Sequence, residues 1–268
     1  MSRLQKAIQV AAKLRVEEEV RPVAAVPRPA APGGLERLLE VDPLPVTHPL
    51  LAAWNGREEA AGEAYRKLRS LVVKLTRGNE FRNLLMVTSS LAAEGKSLTT
   101  LNLALALAQE YDHSVVLVDA DLRKPSIHHY LGITPEVGLS HCLKDGVTLD
   151  RALIKTGLGK LVVLPAGEAV ADPVELLASG RMREILRELK NRYPDRYVLI
   201  DTPPVLPFAD AQVLSGLVDA VLFVVREGGP KPEEVQEALA SLKGARLLGA
   251  VYNDAESFGQ RGRYYYQR

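Results

Sequence analysis

Leu84-Leu-Met-Val-Thr-Ser-Ser-Leu-Ala-Ala-Glu-Gly-Lys-Ser97 reads as a strand running into a glycine-punctuated turn. Leu84–Val87 has no polar face, the pattern of a parallel strand covered on both sides. Beyond Ser97, residues Leu101, Leu103, Ala104, Leu105, Leu107 and Ala108 make an apolar helix. A loop between such a strand and helix turns successive backbone N–H groups toward a phosphate, and the helix start adds its positive end. Ser90, Ala93, Glu94, Gly95, Lys96, Ser97 and Leu98 are therefore candidate nucleotide contacts. Lys96 is expected to reach the β- and γ-phosphates, and the Ser97 hydroxyl to hold Mg²⁺. The usual pattern is G-x-x-x-x-G-K-[ST]. Ser90 stands at its first glycine, so only Gly95-Lys96-Ser97 matches strictly.

Two more strand ends carry carboxylates. Val115-Val-Leu-Val-Asp-Ala-Asp-Leu-Arg123 places Asp119 at the end of an apolar run and Asp121 just beyond it. Tyr197-Val-Leu-Ile-Asp-Thr-Pro-Pro204 does the same with Asp201. In an open parallel sheet, ligands sit beyond the carboxyl ends of the strands, where Mg²⁺ ligands belong beside a phosphate loop. Of Asp119 and Asp121, one can hold Mg²⁺ directly or through water and the other can take a proton from an attacking hydroxyl. Spacing leaves that assignment open. Arg123 either counters phosphate charge or pairs with Asp121.

The rest of the chain has the same α/β rhythm. Strand candidates are Leu84–Thr88, Val115–Asp119, Leu161–Pro165, Tyr197–Asp201, Ala220–Arg226 and Arg246–Val251, with helical segments near 97–110, 173–192, 209–216 and 232–243. A helix with Ala61, Tyr65, Leu68, Val72 and Leu75 on one stripe comes before them. The expected fold is α/β, a doubly wound and mostly parallel sheet flanked by helices, over residues 57–255. Residues 1–20 carry Leu4, Ala7, Ile8, Ala11 and Leu14 at helical spacing behind a Ser2/Gln5 capping box. Residues 21–56 read as a Pro/Ala-rich linker, and residues 256–268 as a flexible tail. Lys+Arg number 34 and Asp+Glu 33, so no net basic field invites nucleic acid. The lone Cys142 excludes an intrachain disulfide framework and fits a reducing compartment. No apolar run approaches the roughly 18–20 residues that cross a bilayer, so a soluble intracellular protein is expected. His128, His129 and Cys142 lack the paired spacing of a zinc site.

Thr88–Ser97, Val118-Asp-Ala-Asp-Leu-Arg-Lys-Pro125 and Leu199-Ile-Asp-Thr-Pro-Pro204 resemble the three nucleotide motifs of the bacterial tyrosine kinases. The N-terminal helix and linker are most similar to the exosortase-associated autokinases, a branch without transmembrane segments of its own. The resemblance implies a P-loop NTPase fold like that of MinD and ParA proteins, with ATP and Mg²⁺ bound. It makes Lys96, Asp119 and Asp121 catalytic, with Asp119 the base, and gives Ser97, Asp121 and Asp201 to the metal. Glu63-Ala-Tyr-Arg-Lys-Leu-Arg69 resembles the family's E-x-x-R-x-x-R motif, which implies that Glu63, Arg66 and Arg69 make subunit contacts in a ring. Tyr264, Tyr265 and Tyr266 match the family's autophosphorylated tail cluster. Asn253 falls where related ATPases recognise adenine. The family further implies a membrane-embedded polysaccharide chain-length partner, a cognate tyrosine phosphatase, and a cytoplasmic protein held peripherally at the inner membrane face. Its role would be control of exopolysaccharide and capsule export. Ala92-Ala93 departs from the family's usual Pro-Gly.

Two rival readings remain at this level. One is a MinD/ParA-like ATPase switch, which Leu91 opposes because that group carries a lysine there. The other is a catalytically idle nucleotide-binding scaffold of a polysaccharide exporter, which the retained Lys96 and aspartates oppose.

Overall fold

A computed structural model of the chain describes residues 41–55, 59–78, 80–192 and 195–255. Helices α1 (Ala52–Asn55) and α2 (Glu59–Thr76) precede strand β1 (Leu84–Ser89), helix α3 (Lys96–Ala108) and strand β2 (Ser114–Asp119). Short helices α4 (Ile127–Leu131), α5 (Leu139–Lys144) and α6 (Leu149–Ala152) lead to strands β3 (Ile154–Lys155) and β4 (Leu161–Leu164). Then come α7 (Val174–Ala178), α8 (Gly180–Asn191), β5 (Arg196–Asp201), α9 (Asp210–Ser215), β6 (Ala220–Arg226), α10 (Pro232–Ser241) and β7 (Leu247–Asn253).

The strands form one sheet in the order β3-β4-β2-β5-β1-β6-β7, parallel throughout except for the β3–β4 pair. Alternate side chains of each strand enter opposite cores. Leu85 and Val87 pack with Leu101 and Leu105 of α3, while Leu84 and Met86 pack with Leu186 and Leu189 of α8. Burial on both faces is why these strands read as unbroken apolar runs. Helix α3 is itself buried over nearly its whole length because α1 and α2 cover it. From β1 the chain steps to β2 on one side, while β6 lies on the other, so the switch point falls beyond β1. Register then fixes the site: Val87 pairs with Asp201, and Asp201 with Asp119.

Three local features depart from the sequence expectation. The segment expected as one helix over 173–192 is two helices, because Ser179 takes extended backbone and its Oγ accepts the Met182 N–H at 3.1 Å. A serine N-cap satisfies a first-turn donor and starts a new helix there. Strand β3 is only two residues long, too short to carry a period.

The third departure is the linker, expected to run to residue 56. Residues 41–55 instead lie on the body. Leu44 N donates to Thr156 O at 2.9 Å, and Leu51 is fully buried. Asn102 clamps the segment: its Oδ1 accepts from Ala53 N and its Nδ2 donates to Leu50 O, each at 3.0 Å. Residues 1–40, with the expected N-terminal helix, lie outside the described residues. If 41–55 were linker, Leu51→Ala would be silent. Because Leu51 is a core side chain, the substitution is expected to cost about 2–5 kcal/mol in a urea unfolding titration.

Candidate active site

Gly95 ends the loop after β1 in the left-handed region, φ 83°, and the first-turn amides of α3 follow it. Amides at Lys96, Ser97 and Leu98 have no intrahelical acceptor, the usual state of a helix start. Leu98 turns its side chain to the core, so only its main chain faces this end. Ser90 is at negative φ; among the described non-glycine residues only Ala93 (φ 63°) and Asp254 (φ 58°) are positive. Serine at the pattern's first glycine is therefore unstrained, whereas Ala93 occupies a conformation that suits glycine. Glu94 turns its side chain into the protein. Its side chain is buried and accepts the N–H of Leu91 at 2.6 Å and of Arg226 at 3.2 Å. That side chain holds the loop, so only the Glu94 main chain is left to meet a phosphate. Burial pushes its carboxyl above the usual range.

Beside the loop, one lysine meets three buried carboxylates. Lys96 Nζ lies 2.8 Å from Asp121 Oδ2, 3.1 Å from Ser97 Oγ and 4.0 Å from Asp201 Oδ2. Asp119 and Asp201 are fully buried and adjacent in register. Asp119 Oδ2 accepts from Ser126 N at 3.2 Å and Ile127 N at 3.1 Å, where α4 begins. Asp119 Oδ1 and Asp201 Oδ2 are buried without a hydrogen-bond partner. Burial, reinforced by Asp201, pushes the Asp119 carboxyl up to about 8. Burial also raises Asp201, against the pull of Lys96. For Lys96, burial opposes the charge, but Asp201 and Asp121 outweigh it and hold the ammonium protonated.

The cluster sets one positive charge against three carboxyl groups, and its unused atoms are hard oxygens. Among the described residues no three acidic, histidine or cysteine side chains converge as a closed metal cage. Mg²⁺ needs no such cage: one or two carboxylates, a hydroxyl and waters suffice. Asp201, Asp121 and Ser97 fit that donor set.

Other candidates are placed differently. Arg123 reaches neither phosphate loop nor Asp121. Its Nε donates to the fully buried Asp210 at 2.6 Å, its Nη2 to Asp172 at 3.2 Å, and it lies 4.5 Å over the Phe208 ring. Asp210 escaped sequence reading because an acid in a helix's first turn is ordinary. Glu63 and Arg66 are exposed and paired to each other at 2.7 Å. Arg69 folds onto its own body, at 2.9 Å from Glu110 and 3.2 Å from Ala106 O. Tyr264, Tyr265 and Tyr266 lie outside the described residues.

Two outcomes follow from these strains. A carboxylate held at a raised pKa supports the fold when protonated and opposes it as pH rises toward the folded value. Asp119→Asn is thus expected to stabilise the nucleotide- and metal-free protein by more than about 1 kcal/mol at pH 8, with no gain near pH 4. Denaturant titrations across that range check the sign. Ala93→Gly is expected to leave stability unchanged or raise it by up to about 1 kcal/mol, where glycine in ordinary backbone costs roughly 0.5–1 kcal/mol; a melting curve distinguishes them.

No family model matches the chain. The tyrosine-protein kinase YwqD of Bacillus subtilis is 36% identical over 194 residues, 71% of this chain and 80% of that protein. The putative tyrosine-protein kinase CapB of Staphylococcus aureus is 33% identical over 206 residues, covering 76% and 89% respectively. Among solved structures, the kinase domain of the Escherichia coli tyrosine kinase ETK superposes with a TM-score of 0.70 at 32% identity, over 78% of this chain and 82% of that one. A septum site-determining MinD protein from Pyrococcus horikoshii shares the fold alone, at 24% identity, a TM-score of 0.52, and 63% and 68% coverage. The kinases are matched over most of their length by a chain that gathers loop, lysine and strand-end aspartates in one place, and the chain belongs to the bacterial tyrosine-kinase family.

Proposed function

We propose that the chain is a Mg·ATP-dependent protein-tyrosine autokinase that phosphorylates its own C-terminal tyrosines Tyr264, Tyr265 and Tyr266. The observation that carries this reading is the convergence of Lys96 with Asp119, Asp121 and Asp201 at the mouth of the phosphate loop. Phosphoryl transfer asks a protein for positioning and charge neutralisation more than for covalent chemistry. The loop amides and Lys96 hold the β- and γ-phosphates of ATP, drawing Lys96 from Asp121. Mg²⁺, when bound on Ser97, Asp121 and Asp201, neutralises charge on the transferring group. Asp119 Oδ1 accepts the tyrosine hydroxyl proton as the phenolic oxygen bonds to the γ-phosphorus and the bond to ADP breaks. Its other oxygen is anchored on the amides of Ser126 and Ile127, which fixes the direction of the free one.

The acceptor tail belongs to a neighbouring subunit in this reading. From Asp254 to Tyr264 about ten residues reach roughly 35 Å at full stretch, enough to enter an adjacent site. The exposed Glu63 and Arg66 face that neighbour, and Arg69 joins them only by leaving Glu110. Among the described residues no helix is long and apolar enough to cross a membrane. Attachment to the inner face is assigned to a membrane-embedded chain-length partner, contacted by residues 1–20. Control of exopolysaccharide and capsule export, and removal of the phosphates by a cognate phosphatase, complete the cycle. Each phosphate adds about −1.5 to −2 charge to the tail and so weakens its hold on an acidic site.

Intact-mass analysis after incubation with Mg·ATP tests this. The wild type, with its membrane partner supplied, is expected to gain phosphate. Lys96→Ala reduces the gain at least about a hundredfold, and a Tyr264/Tyr265/Tyr266→Phe variant gains little. ATP hydrolysis without phosphate gain replaces the kinase with an ATPase switch, and loss of ATP binding itself leaves a scaffold.

A further inference from the structure

The phosphate loop is clasped from the side by the last residues of β6 and β7. Glu94 is 2% exposed, and both of its carboxylate oxygens are used. Oε1 accepts the N–H of Leu91 inside the loop at 2.6 Å, and Oε2 accepts the N–H of Arg226 at the end of β6 at 3.2 Å. From β7, Asn253 Nδ2 donates to the Glu94 carbonyl at 3.0 Å. Asn253 lies so close to Gly95 that a Cβ added there would stand 2.1 Å from Nδ2. The strand ends are tied to each other as well. Glu227 N donates to Asn253 O at 2.9 Å, and Arg226 pairs with Asp254 through Nε at 3.0 Å and Nη2 at 2.9 Å.

These contacts give Asn253 a role that the sequence expectation did not include, using one of the two N–H groups on its side-chain nitrogen. An asparagine that reads adenine does so with both ends of its amide, donating and accepting along one base edge. Here one N–H of the nitrogen is committed to the loop's main chain. A hydrogen bond to a carbonyl beside Gly95 sets the orientation of the amides that follow, and those are the groups that meet phosphate. A misplacement of about 1 Å at a reacting centre costs on the order of a hundredfold in rate, so the shape of this loop is a catalytic quantity.

We propose that Asn253 and Glu94 are positioning residues that set the shape of the phosphate loop. The proposal rests on the functional reading above only in taking a nucleotide as the loop's occupant. It also explains the β6–β7 edge, since the strand that leads toward the tail is the strand that steadies the loop.

The test uses the full chain and four forms: wild type, Asn253→Ala, Glu94→Ala and Glu94→Gln. Equilibrium binding of Mg·ADP and Mg·GDP is measured for each, and amide hydrogen exchange is followed without nucleotide. A loop clasp predicts that Asn253→Ala weakens both nucleotides by the same factor, about three- to tenfold, the worth of one hydrogen bond. Glu94→Ala weakens both by at least as much, and Glu94→Gln by less, because its amide oxygen still accepts one of the two N–H groups. Exchange at Leu91 and Arg226 rises in Glu94→Ala, and exchange across residues 94–97 rises in Asn253→Ala. A loss confined to Mg·ADP overturns the proposal and makes Asn253 a base reader. Unchanged binding with unchanged exchange overturns it too. If the wild type binds neither nucleotide, the functional reading fails, yet loop exchange in the variants still decides for or against the clasp. A variant that has lost its fold exchanges throughout the chain, and Glu94→Gln then carries the comparison.

Discussion

Everything at this site depends on burying three carboxylates with one ammonium. Moving a charged carboxylate out of water costs several kcal/mol, and an ion pair offsets that only when geometry and further hydrogen bonds are good. Lys96 serves Asp121 well at 2.8 Å and Asp201 poorly at 4.0 Å. Asp119 has two backbone donors on one oxygen and none on the other. The sheet enforces the arrangement, because β2 and β5 are paired in a register that sets Asp119 against Asp201. Neither side chain can retreat to solvent without breaking that pairing. The protein therefore holds an unsatisfied negative site open, and cation and phosphate bound together relieve both halves of the imbalance.

The rest of the fold can be understood as support for that open site. Helix α3 is apolar almost all round because it must stay fixed while its N-terminus meets charge. Its far face is covered by α1 and α2, with Asn102 stitching residues 50 and 53 to it. Arg123 serves the same end from another direction. Its bonds to Asp210, Asp172 and Ala171 O draw together the segments after β2, β4 and β5, so the stretch carrying Asp121 is anchored from outside.

What was legible in the chain follows from which forces are local. Six strands were readable because burial on both sheet faces demands unbroken apolar runs, and Lys96, Ser97, Asp119, Asp121 and Asp201 were readable because they lie at fixed offsets from those runs. The docking of 41–55 was hidden by proline content, since a segment pinned by Leu51 and Asn102 needs no period of its own. Helices α4 to α6 are four to six residues long, shorter than the window in which helical periodicity shows. The partner of Arg123 was invisible because Asp210 is 87 residues away and reached only through the sheet. The side-chain role of Glu94 on Leu91 and Arg226 was hidden too, because position along a chain does not say which way a side chain turns.

The same distinction bears on the loop's departures from the usual pattern. Ser90 replaces a glycine at a place where φ is negative, so the backbone does not need one. Ala93 sits at φ 63°, where a side chain costs about 1–2 kcal/mol. A strained residue persists only where its surroundings over-determine it. Here they do. Leu91 on one side is held by the Glu94 carboxylate and by Ser89 Oγ, which donates to its carbonyl at 2.7 Å, while Glu94 and Gly95 on the other are held by Arg226 N and Asn253. Alanine at position 93 is thus tolerated because the loop's shape is imposed from β6 and β7 rather than chosen by the loop's own residues. A loop rich in glycine would take that shape with less strain and hold it with less certainty; this one takes it under constraint.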